Sequence, residues 1–169
     1  ANSTSWGLSI ASSTLVGQAL GAGEESEATA YGGQIITLAF VIHVVVAAVV
    51  IAFAEPIAAL FVDEAAAVAL SATFVAVSAL SLIAMGVDGS ATGALRGAGD
   101  TQVPFYASLI GLYVFTLPVA YLGIVTQLGV TALFVALVLE TAVPSAVTLW
   151  RFNTGAWRAV SRDYRPNEA

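Results

Sequence analysis

Long apolar runs, cut by short polar breaks, fill most of the sequence. The clearest is IITLAFVIHVVVAAVVIAFA, residues 35–54, polar only at Thr37 and His43. Another covers residues 65–95 and meets no charge before Asp88; the rest cover residues 3–20, 104–125 and 129–150. A helix needs roughly 20 mainly apolar residues to cross a bilayer, and a barrel strand about 9–11 with alternating polarity. Every run is longer than such a strand and none alternates. The pattern therefore predicts an all-α integral membrane protein with five transmembrane helices.

The breaks refine this. Glu55-Pro56 should stop the second helix, because proline brings no N–H to the ladder, and PIAALFV after it is expected along the interface. Asp63 is the expected N-cap of the third helix. At about 1.5 Å per residue that helix outruns the ~30 Å hydrocarbon layer and must tilt or project. Pro104 is expected at the first position of the fourth helix, with a kink at Pro118. The fifth holds Glu140 and Pro144 and ends in the interfacial pair Trp150-Arg151. The first is the most polar, and Ser5, Ser9, Ser12, Ser13, Thr14 and Gln18 need neighbouring helices or water to satisfy them. The expected organisation is a membrane domain, residues 1–152, and a cytoplasmic tail, residues 153–169.

Counting sides, loops 21–34 and 96–103 share one side with the tail, and all five basic residues (Arg96, Arg151, Arg158, Arg162, Arg165) lie there. The other side carries Glu55, Asp63 and Glu64. The positive-inside bias makes the arginine side cytoplasmic in a multi-pass cell-membrane protein.

Composition closes off other classes. The chain has 169 residues, 59% hydrophobic and 9% charged, with a mean hydropathy of +0.91. Soluble domains carry about 25% charged residues, and so short a chain encloses too little interior to hide this much apolar surface from water. A net charge of −6 without lysine argues against a nucleic-acid partner. Without cysteine there is no disulfide and no thiolate metal site. Met85 is the sole methionine and no charged n-region opens the chain, so it is expected to be a piece of something larger.

Three ionisable residues within the helices are candidates for chemistry. Asp88 either pairs with Arg96 about two turns further on, or lines the inner mouth of a cavity; the pairing is the favoured reading. Glu140 lies mid-helix, four residues before Pro144, whose missing N–H frees the Glu140 carbonyl; a protonatable group at that depth is what a proton-coupled carrier needs. His43 reads as a satisfied polar residue before a relay. Gly86, Gly89 and Gly93 clear one helix face, with Gly89 and Gly93 forming a G-x-x-x-G, and close packing is the expectation. GQALGAG and GALRGAG lack the Gly-Lys-Ser/Thr ending of a phosphate loop. No Ser-His-Asp set and no metal-ligand spacing appear, so no enzyme is expected.

Two segments carry a family resemblance: TLVGQALGAGEESEA, residues 14–28, and GALRGAGDTQVPF, residues 93–105. Together, with TLPVAYLG at residues 116–123, they resemble the multidrug and toxic compound extrusion (MATE) family of secondary transporters. The resemblance implies two six-helix lobes rocking about a central cavity. This chain would supply the last five helices of the second lobe, with that lobe's first helix and the whole first lobe as partners alongside membrane lipids. It implies export of small organic cations in exchange for H+ or Na+, and no cofactor. Ser9, Ser13 and Gln18 would line the cavity near the kinks at Pro118 and Pro144, while Gly17, Gly21, Gly93, Arg96, Gly97, Gly99 and Asp100 build the motif turns. In the sodium-coupled branch an ion-binding aspartate precedes the turn; that position falls at Met85, one turn before Asp88. The alternatives are a flippase of the same superfamily and a non-transporting membrane remnant.

Overall fold

The computed structural model describes residues 2–163 and, among them, contains helices and no strand. The order is α1 (Asn2–Gly21), α2 (Glu25–Ala52), α3 (Ala54–Ala59), α4 (Ala65–Gly97), α5 (Gln102–Ile110), a π-helical stretch (Gly111–Thr116), α6 (Leu117–Val125), α7 (Val130–Thr154) and α8 (Trp157–Asp163). By length and composition α2, α4, α7 and the continuous span Gln102–Val125 can each cross a membrane. α1 is the fifth long helix, with 20 residues. α4 is the hub on which α1, α2 and α7 pack, and the Gln102–Val125 span joins the bundle through α7.

A repeat of small residues brings α1 against α4. Gly89, Gly93 and Gly97 face Ser5, Ser9 and Ser13, both series advancing by four residues, so the two helices run parallel in constant register. A Cβ at Gly93 or Gly97 would overlap the backbone carbonyl of Ser9 or Ser13, and one at Gly17 would sit 3.3 Å from the Gly97 carbonyl oxygen. In lipid, such close backbone approach replaces the hydrophobic drive that water supplies elsewhere. Where this seam ends, both G-A-G sequences turn the chain alike. Gly23 (φ +83) and Gly99 (φ +84) take the left-handed conformation, and the N–H groups of Glu24 and Asp100 reach back to the carbonyls of Ala19 (2.9 Å) and Leu95 (2.8 Å). This is a Schellman closure, which needs that conformation. Gly21 is the last residue of α1 and has open space around it; the left-handed conformation falls on Gly23.

Several boundaries differ from the sequence expectation. α2 starts at Glu25, ten residues before the apolar run, so the loop of residues 21–34 shrinks to 22–24. Hydropathy marks only the lipid-facing part of a helix. The polar first turns are supported by Glu25 and Glu27 at the positive end of the helix dipole. Asp63 does not cap α4; Glu64 precedes the helix and makes no side-chain cap bond. Pro104 occupies the third position of α5. At Pro118 the irregularity lies one turn earlier, in the π-helical stretch Gly111–Thr116. Proline gives no N–H to the carbonyl four residues back and crowds it; the widened turn relieves this, with the Thr116 hydroxyl donating to Gly111 O at 3.0 Å.

The last difference is in the tail. α7 continues to Thr154 and stops at Gly155 (φ +68). α8 then folds back, and Trp157, 1% exposed, joins the core cluster of Val16, Leu20, Leu95 and Phe152. Its indole stacks on Phe152 and donates to Phe152 O at 3.0 Å. Arg158 donates to Thr29 Oγ1 (3.0 Å) and Arg162 forms a two-pronged pair with Glu25 (3.0 and 2.9 Å), tying α8 to α2. The rest of the expected tail, residues 164–169 with Arg165, lies outside the described residues.

A polar cleft around Asp88 as candidate functional site

Helical geometry puts Asp88, Thr92 and Arg96, each four residues apart, on one face of α4. Three hollows meet along that face. One, of about 550 Å³, lies beside α1 and is lined by Ser9, Ser13, Met85, Asp88, Thr92 and Arg96 among others. A second, of about 490 Å³, extends towards α5 and adds Thr101, Gln102 and Ser108. The third, of about 290 Å³, opens against α7 and is lined by Met85, Asp88, Ser108, Leu112, Glu140, Thr141 and Pro144. Asp88 borders all three.

Hydroxyls hold the Asp88 carboxylate. Its Oδ1 accepts from Thr148 Oγ1 of α7 at 2.9 Å and lies 3.5 Å from Thr92 Oγ1, one turn on. The favoured sequence reading, an Asp88–Arg96 pair, is corrected: no ion pair joins them among the described residues, and Arg96 is exposed. Eight residues of helix put about 12 Å between their backbone positions, and the Arg96 guanidinium stays beyond ion-pair distance, acting on the carboxylate only through space. The α4–α5 turn is steadied instead by Asp100, 4% exposed, whose Oδ2 accepts from Arg151 Nε at 2.7 Å.

The other expected residues separate into two groups. Ser9 and Ser13 line the first hollow and Glu140 the third, where it shares the space with Asp88. Gln18 is exposed and borders none of the three; five residues past Ser13 it points about 140° away around α1. His43 is 2% exposed, wedged between α1 and α4. Its Nδ1 lies 2.8 Å from the Ala39 carbonyl and its Nε2 2.9 Å from Ser5 Oγ. A carbonyl only accepts, so in the neutral ring Nδ1–H donates to it and Ser5 donates to Nε2. A Cβ at Gly86 would overlap this ring, so that glycine makes room for His43. Pro144 packs on Gly111: a Cβ there would meet the Pro144 ring at 3.0 Å, so the proline of α7 seats against the start of the π-helical stretch. Pro118 itself is exposed.

Sequence reasoning missed Thr148, Thr92 and Ser108. Two signals were available: Thr148 continues the face of Glu140 and Pro144 at four-residue steps, and Thr92 lies midway between Asp88 and Arg96. Among the described residues no three of His, Cys, Asp and Glu gather to hold a metal ion.

Fold and cleft together define a polytopic helical membrane protein whose polar groups line hollows between its helices. The MatE family profile matches residues 3–122, and the chain belongs to that family. It is 32% identical over 152 residues to the probable multidrug resistance protein NorM of Rhodopseudomonas palustris, covering 87% of this chain and 32% of that protein. A second probable NorM, from Thermotoga maritima, is 28% identical across 96% of this chain and 36% of its own length. The multidrug and toxin extrusion protein 1 of Oryctolagus cuniculus is 30% identical across 86% of this chain and 26% of its own length. The fold matches the crystal structure of the eukaryotic MATE transporter AtDTX14 with a TM-score of 0.83 at 22% identity, over 94% of this chain and 36% of that one. The chain thus spans about a third of the length of the NorM relatives it matches.

Proposed function

We propose that this chain belongs to the C-terminal lobe of a multidrug efflux transporter, a secondary antiporter that exports small organic cations in exchange for H+ or Na+ by alternating access. The observation that carries this reading is Asp88, a carboxylate held by hydroxyls where three hollows meet. Away from bulk water an anion attracts a cation far more strongly than at a wet surface, and carboxylates within membrane spans mark ion and substrate paths. A proton or sodium ion and a cationic substrate compete for the same charge, which is the requirement for exchange. Apolar Trp6, Ile10 and Met85 beside it offer contact without fixed geometry, suited to varied substrates. Glu140, across the smallest hollow, is the second carboxylate available to the exchange.

The transporter acts with further partners: a first lobe, the helix that precedes α1 in its own lobe, and membrane lipids. Arg96, Arg151, Arg158 and Arg162 gather at the ends of α4 and α7 and on α8. This supports a cell-membrane orientation with that end cytoplasmic. The test is dye retention in efflux-deficient cells expressing the complete gene product. Retention is expected to fall with the wild type and to return to the control level with Asp88→Asn. Unchanged efflux by Asp88→Asn at equal expression would overturn the reading.

A further inference from the structure

Thr148 is fully buried and has one hydroxyl proton facing three acceptors. Asp88 Oδ1 on α4 lies at 2.9 Å, and on its own helix Pro144 O lies at 2.9 Å and Ser145 O at 3.2 Å. One hydroxyl gives one proton, so these bonds alternate. When Asp88 is a carboxylate it only accepts, and Thr148 donates across to α4. When Asp88 is protonated on Oδ1, the oxygen that faces Thr148, the direction reverses: its O–H donates to Thr148 Oγ1, and the Thr148 proton turns to the carbonyl of Pro144 or Ser145. Nothing covalent changes beyond the proton on Asp88.

We infer that Thr148 is a positioning residue that relays the protonation state of Asp88 to α7. The inference rests on the proposed role of Asp88 as the exchanging carboxylate, and it commits that exchange to the proton. The relay ends at a responsive place. A threonine bond back to the preceding turn bends a helix, and here that turn contains Pro144, whose ring rests on Gly111 at the start of the π-helical stretch. A change of partner at Thr148 is therefore passed through Pro144 to the interrupted span.

The charged groups around Asp88 are few. Arg96 lies two turns away on α4, and Glu140 of α7 borders the third hollow. From α1 the polar groups in the cleft are the hydroxyls of Ser5, Ser9 and Ser13, and from α5 they are Ser108 and Gln102. Among the described residues, the hydrogen bond Asp88 receives from another helix comes from Thr148.

The experiment is pH-dependent ethidium transport by the complete gene product in liposomes, comparing wild type, Asp88→Asn, Thr148→Ser and Thr148→Val. Thr148→Ser keeps the hydroxyl and is expected to keep the wild-type midpoint. Thr148→Val keeps the shape but loses the donor, and the midpoint is expected to move by roughly 0.7 pH unit, the size one hydrogen bond sets. Should valine prevent insertion, Thr148→Cys, a weak donor, takes its place with a smaller displacement expected. A Thr148→Val or Thr148→Cys protein with the wild-type midpoint, even at a lower rate, reduces Thr148 to packing and overturns the inference. Asp88→Asn separates the two levels. If it keeps the wild-type pH profile, the role of Asp88 falls and the relay with it. If it loses pH dependence while Thr148→Val keeps its midpoint, the relay alone falls.

Discussion

Along the α1–α4 seam three glycines meet three serines at an unvarying four-residue step, whereas the Gln102–Val125 span changes helical pitch midway and reaches the bundle through α7. The first region has backbone against backbone; the second leaves Tyr113, Val114, Tyr121 and Ile124 exposed. In lipid an apolar side chain gains little by leaving the surface, so closeness of approach decides which helices move together. The seam makes α1 and α4 one body carrying Asp88 and the serine-lined wall. The span, with its hydrogen-bond ladder already interrupted, is the cheaper element to reshape. The cleft lies between the two.

The contrast breaks most severely at Gly93. A Leu side chain there meets the Ser9 backbone, which has no rotamer to yield, and Gly93→Leu is expected to eliminate monodisperse protein on size exclusion in detergent. Gly89→Ala is the control: its Cβ would sit 3.5 Å from the nearest atom, an ordinary contact, and wild-type recovery is expected. Next in size is Arg151→Ala, which strands the buried Asp100 carboxylate. Removing one partner of a buried pair costs about 3 kcal/mol, to be read as a lower midpoint in thermal unfolding. Pro118→Ala sharpens the comparison from the other side. With the N–H restored the π-helical stretch can close into a regular helix; the thermal midpoint is expected to hold while transport slows severalfold. A variant slowed only in proportion to lost stability would deny the span its separate role. The smallest effect is expected from Arg162→Ala, whose pair with Glu25 sits at an exposed surface. Any loss in thermal midpoint should disappear in high salt, since such pairs are screened.

How far this was legible in the sequence varies from residue to residue. The long helices announced themselves because lipid demands about 20 apolar residues per crossing. The first ten residues of α2 did not, because Glu25 to Gln34 look like a loop to hydropathy and like a dipole-supported helix start to the structure. The glycine series was readable as packing, but not its mates: that Gly93 faces Ser9 and Gly86 faces His43 depends on how helices dock. Asp88 shows the limit best. Sequence spacing offered Arg96 as partner, while the fold supplies Thr148, 60 residues away and without charge. Likewise Asp100 was visible as part of a turn, but Arg151, which holds it, comes from the far end of α7. Trp157 lay in a stretch too polar to suggest burial, although one aromatic suffices to fold a short helix back on a core.

Whether the Asp88–Thr92–Arg96 face of α4 borders the substrate path is decided by thiol labelling in the complete gene product. Ser9→Cys, facing the hollow of about 550 Å³ beside Asp88, is compared with Leu38→Cys, exposed on α2 and outside the three hollows that meet at Asp88, using a small maleimide with and without saturating substrate. Substrate is expected to slow labelling at position 9 severalfold and to leave position 38 unchanged. Equal labelling of position 9 with and without substrate, under conditions where transport is measured, would contradict a path along that face.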